Sequence, residues 1–171
     1  MNPEIQRTAK APTALRRPRR PLSIPVFLMF ACLMGGGLSA HADEEQDQIA
    51  ILQSTANLTQ KSVACQRLRI IGTPKSVPAL ASLLTADETS QFARHALEGL
   101  PFPEAGAALR GALTKTSDKP RLQAGIIDSL GWRREPESIA LLAPFLTSTN
   151  LDLAISAASA LGRIGDRKSV V

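Results

Sequence analysis

The sequence predicts an all-α fold, a solenoid of about three and a half helix pairs, and three observations carry that reading. First, one phrase recurs four times: Ala64-Cys-Gln-Arg-Leu68-Arg-Ile-Ile71-Gly72, Ala93-Arg-His-Ala-Leu97-Glu-Gly-Leu100-Pro101, Gln123-Ala-Gly-Ile-Ile127-Asp-Ser-Leu130-Gly131 and Ala157-Ala-Ser-Ala-Leu161-Gly-Arg-Ile164-Gly165. Its closing positions, 72, 101, 131 and 165, step by 29, 30 and 34 residues, a period that marks stacked supersecondary units. Second, each of the first three copies continues into another apolar run of helical spacing, as in Val77, Leu80 and Leu84. Third, nothing alternates with period two over a useful length, so no sheet is expected.

The elements follow in order. Asp43 to Ala56 reads as a helix with an acidic start and with Ile49 and Leu52 inward, so residues 43–58 are assigned as an N-terminal cap. Residues 59–171 are the repeats. In the first copy Ala64, Leu68 and Ile71 share one helical face, and Val77, Leu80 and Leu84 share another. Gly72, Gly131 and Gly165 stand where a helix end favours a left-handed residue. Pro74, Pro103 and Pro136 open the second helix of each pair, where a missing N–H costs nothing. Thr89 or Ser90 is the expected cap of the second copy's first helix, and Pro120 sets off the third copy. Pro144 falls inside the last helix of the third copy and should kink it or cut it short. The second copy departs most, with Pro101 for the glycine and Gly106 where the first copy has Val77.

The fourth copy supplies its first helix and then only Gly165-Asp-Arg-Lys-Ser-Val-Val171, so the last pair is incomplete. Ile155, Ala158, Leu161 and Ile164 are expected to lack one of their covers. The first expectation is that the chain is the N-terminal part of a longer protein. The alternative is that the open end pairs with another chain, which includes self-association.

The Ala-x-x-x-Leu-x-x-Ile-Gly phrases and the following Val-Pro-Ala-Leu-x-x-Leu-Leu, clearest in 64–84 and 154–170, resemble HEAT repeats of the short, phycobilisome-lyase-like kind. The resemblance covers about residues 60–171 and implies a right-handed α-solenoid. In function it implies mostly protein–protein scaffolding. It also raises a chromophore-attachment role, which suits an exported chain poorly.

The first 42 residues are of another kind. Arg7, Lys10, Arg16, Arg17, Arg19 and Arg20 precede Leu22–Ala40, which carries no charge, and Ala40-His41-Ala42 leads into Asp43-Glu44-Glu45. A basic region, an apolar region and an A-x-A ending form a secretory signal, cut between Ala42 and Asp43. The chain is thus expected in the periplasm or outside the cell. An uncleaved inner-membrane anchor facing outward is the alternative, since the uncharged run approaches the ~20 residues that span a bilayer; Pro25 and Gly35-Gly36-Gly37 argue against it. A lipoprotein site at Cys32 would follow Met-Phe-Ala, a poor match.

Without the leader, residues 43–171 hold 14 basic and 14 acidic side chains, so the net charge of +5 belongs to the leader. Nucleic acid is therefore not an expected partner. The expected partner is a protein, met on the face of the second helices through Lys75, Ser82, Arg110 and Glu137. Trp132, Arg133 and Arg134, on the longer loop of the third copy, read either as a solvated loop with a tucked aromatic or as an anion-binding or partner-contact spot, Trp and Arg being common at hot spots.

Catalytic equipment is sparse. Beyond residue 42 the chain has one cysteine, Cys65, and one histidine, His95, too few for a zinc site. Cys65 reads as a small buried apolar group, with a reactive or intermolecular thiol as the alternative. No phosphate loop, dinucleotide fingerprint or nucleophile elbow occurs. No cofactor, metal or enzymatic activity is expected. The leading function is a non-catalytic binding scaffold, and the second a regulatory or docking module of a secreted enzyme or electron carrier.

Overall fold

The computed structural model describes residues 36–166, with side chains from His41 to Gly165. The chain divides between Gly36 and Gly37, so the described residues are, but for Gly36, those of the second unit. Most of the leader therefore lies outside them. The fold is all-helical, with eight α-helices and no strand among the described residues. No helix there is long and apolar enough to cross a membrane.

Helix α1 (Gly36–Gln53) buries Ile49 and Leu52, the two residues its spacing selected. Its Glu45 is buried and accepts from the Thr73 N–H at 2.7 Å and from the Thr73 hydroxyl. Helix α2 (Leu58–Ile71) opens on a capping box in which Asn57 and Gln60 exchange side-chain to backbone bonds at 2.9 and 3.0 Å. A 3₁₀ turn, Pro74–Ser76, leads into α3 (Val77–Ser82), then α4 (Ser90–Gly99) and α5 (Pro103–Lys115). Helix α6 (Pro120–Arg133) and a second 3₁₀ turn, Pro136–Ser138, precede α7 (Ile139–Leu142). Pro144 acts as expected: α7 stops at Leu142 and the chain tightens into a 3₁₀ turn, Ala143–Thr147, before α8 (Leu151–Asp166).

The first helices of successive copies touch in sequence, α2 on α4, α4 on α6 and α6 on α8, and the second helices α3 and α5 meet each other. One core cluster runs through these helices, and in it Leu68, Leu80, Leu97, Leu109, Ile127, Leu130 and Leu142 are fully buried. Burying such a side chain contributes about 1.5–3 kcal/mol.

Three expectations need correction. No described glycine has positive φ, so the closing glycines are not left-handed caps. Gly72 is extended, and a Cβ there would strike Ser76 Oγ at 2.7 Å. Gly131 lies within α6, where a Cβ would meet the Ala160 Cα of α8 at 2.6 Å, and Gly165 lies within α8. The left-handed position is Arg134, φ 53°. Thr89 precedes α4 but makes no side-chain cap; its hydroxyl donates to the Leu83 carbonyl at 3.0 Å. Finally, α8 buries Leu153, Ala157, Ala160 and Ile164, whereas Ile155 is 59% exposed, Ala158 is exposed and Leu161 packs only partly on the core. Apolar residues run nearly all round this helix, and the close approach of Ala160 to Gly131 fixes which face turns inward.

Two glycines separate packing from propensity. Gly111→Ala, in α5 with open space around it, is expected to raise stability by ~0.5–1 kcal/mol. Gly131→Ala is expected to lower it, because backbone rather than a pliant side chain occupies the space. Urea denaturation of both variants checks the opposite signs.

Candidate functional site

The loop placement expected for Trp132 and Arg133 is corrected by α6, which runs through both, with Arg134 as its left-handed C-cap. The Arg133 side chain is 6% exposed. Its Nη1 donates to the carbonyls of Leu97 at 2.5 Å and Leu100 at 2.6 Å, its Nη2 to that of Phe102 at 2.9 Å, and its Nε to Glu135 Oε1 at 2.8 Å. Arg133 is therefore a clamp on the C-terminal end of α4 and is not free to hold an anion. Cations at a helix C-terminus are also favoured by its dipole.

The departure at position 101 explains why this clamp is needed. In the first copy the Gly72 N–H caps the Leu68 carbonyl at 2.8 Å. Pro101 stands at the matching position and has no N–H to give. The matching carbonyl, Leu97, takes the Arg133 guanidinium instead. The departure at position 106 belongs to the same assembly. A Cβ on Gly106 would fall inside the Glu135 carboxylate, so only glycine leaves room for it. Glu135, 18% exposed, then joins Arg133 to Arg110 of α5, whose Nη1 lies 2.7 Å from Oε2.

Arg110 is thus engaged with Glu135, and its side chain is 25% exposed. Lys75, Ser82 and Glu137 are exposed, although the Ser82 hydroxyl donates to the Ala79 carbonyl at 2.7 Å. Ala42 and Asp43 lie inside α1. Glu44, just beyond them, pairs with Arg67, and that hydrogen bond and charge hold its carboxyl below the ordinary carboxylate range. His95 is exposed and 3.1 Å from Glu98 Oε2 on its own helix. Among the described residues no His, Cys, Asp and Glu side chains gather in threes as a metal ion requires.

Trp132 is the side chain the clamp leaves at the surface, 61% exposed. The Arg163 guanidinium of α8 covers one face of the indole, 4.8 Å from the ring centre. Beside it opens a cleft of about 520 Å³, walled by Leu100, Pro101, Pro103 and Pro136 and carrying Glu98 and Glu137. This cleft was not foreseen; the signal available was the set of prolines that follow the repeated phrases. No family model matches the chain, and no curated protein matches its sequence.

Arg133→Met is expected to lower stability by ~2–4 kcal/mol, the scale of uncovering buried carbonyls and stranding a carboxylate. Lys75→Ala should stay within ~0.5 kcal/mol. Denaturant midpoints compare them directly.

Cys65 is buried and free, and burial pushes its thiol up from 9.0 to about 11. Raised this way, it contributes stability that is complete below 9.0, the value for an unrestrained thiol, and is lost as pH rises through about 11. In a Cys32→Ala background, thiol labelling at pH 8 is expected to proceed only as fast as the fold opens; rapid labelling of the folded chain would refute the burial.

Proposed function

We propose that the chain is an exported, non-catalytic protein–protein interaction scaffold whose helix pairs form a right-handed HEAT-like solenoid of about three and a half units. The observation that carries this reading is the nearest-neighbour pattern of contacts. Each first helix rests on the first helix of the next copy, and the second helices of the first two copies, α3 and α5, also meet. In repeat arrays each unit leans on its neighbours and exposes a long surface. The use of polar groups agrees. Arg133, whose side chain is buried, and the half-buried Glu135 and Arg110 are spent on joining one copy to the next.

Export rests on the order of basic, apolar and A-x-A segments through residue 42. The partner is a protein, and the docking surface is the flank bearing Trp132, with Lys75 and Glu137 on exposed turns at the starts of second helices. Exposed Trp beside a closed hydrophobic core is the residue type that anchors interfaces.

The full chain, tagged and cross-linked in the compartment to which it is delivered, tests this. A single protein should be recovered in saturable amounts and should bind the purified chain directly. Turnover of a substrate, a bound pigment, or a chain recovered alone at every cross-linker length would overturn the reading.

A further inference from the structure

Resting on the scaffold reading, we infer that the cleft beside Trp132 receives an extended, proline-containing basic segment of the partner protein. The walls argue first. Pro101, Pro103 and Pro136 present rigid apolar rings with no N–H groups, and the nearby carbonyls of Leu97, Leu100 and Phe102 are already occupied by Arg133. A strand seeking backbone partners finds few here. A polyproline segment seeks none, because it has no internal ladder and is recognised by rings lying on aromatic faces.

The aromatic platform is already positioned. Arg163 holds one face of Trp132, and its Nη1 in turn lies 3.7 Å from Asp128 Oδ1. The indole therefore costs little ordering when its other face is covered. Charge decides the composition of the segment. The positive charges of Arg110 and Arg133 meet Glu135. The lining holds three carboxylates to those two guanidiniums: besides Glu135 there are Glu98, which lies beside the exposed ring of His95 and whose charge also acts on Arg94, and Glu137, which is exposed and has no ion pair among the described residues. A guanidinium or ammonium on the incoming segment meets negative charge at the rim and can also lie against the indole.

Trp132 is the single tryptophan of a chain without tyrosine, so its emission reports this cleft. A nine-residue peptide of three Arg-Pro-Pro units, titrated into the full chain, is expected to shift that emission saturably. Glu-Pro-Pro and Arg-Ala-Ala peptides should bind at least tenfold more weakly. Glu137→Gln, a surface change that leaves the core alone, should weaken the Arg-Pro-Pro peptide severalfold. Trp132→Ala, followed by anisotropy of a labelled peptide and checked for folding by circular dichroism, should abolish binding. Binding that leaves the emission unmoved, equal affinity for the acidic peptide, or no binding at millimolar peptide would overturn the inference. If the cross-linked partner is retained by Trp132→Ala, the cleft assignment fails and the scaffold reading stands. If no partner is recovered with either chain, the scaffold reading fails first.

Discussion

Arg133 reaches from the last turn of α6 into the carbonyl end of α4, and the junction between the second and third copies is organised around that reach. Three carbonyls and one carboxylate share its guanidinium. Remove it and Leu97 has no donor, because Pro101 cannot supply the N–H that Gly72 gives Leu68 one copy earlier. Glu135 holds the clamp in place, Arg110 holds Glu135, and Gly106 leaves the space the carboxylate needs. Two apparent defects of the second copy are thus the two halves of one fitting. The same fitting carries α6 far enough to present Trp132 at the surface, so the candidate contact and the stability of the junction share an origin.

Arginine and glycine recur together along the row of first helices. Arg69 lies over Gly99, Arg94 over Gly125, and Arg163 approaches the space beside Gly131. Arg94 also donates to the Gly125 carbonyl at 2.6 Å, and burial, opposed by Glu98 and Asp128, lowers its pKa. Each glycine lets a stem and guanidinium lie flat on the neighbouring helix. The aliphatic stem then covers apolar surface, and the charged heads of Arg94 and Arg163 find a carbonyl or a carboxylate. Neighbouring copies are joined by these long side chains as well as by leucines.

The helices were legible because their signals are local. Ile49 and Leu52 on α1, Leu68 and Leu97 on the first helices, and the break at Pro144 all follow from spacing and from the missing N–H of proline. The role of the glycines was not legible. A glycine that ends a helix and one that lets two helices touch look alike until the neighbour, here Ala160, is in place. The register of α8 was hidden for the same reason, since Ile155 and Ile164 are equivalent in hydropathy and only the contact at Gly131 separates them. Arg133 was visible as a cation, and Pro101 and Gly106 as departures, yet about thirty residues of chain separate the clamp from what it repairs.

The central claim is that Arg133 substitutes for the missing N–H at position 101, and a double-mutant cycle between Arg133→Met and Pro101→Gly measures it most directly. Glycine at 101 restores a donor to the Leu97 carbonyl. The account expects Pro101→Gly to recover part of what Arg133→Met loses, with a coupling of about 1 kcal/mol or more. Strict additivity of the two changes, with no recovery by the glycine, would contradict it.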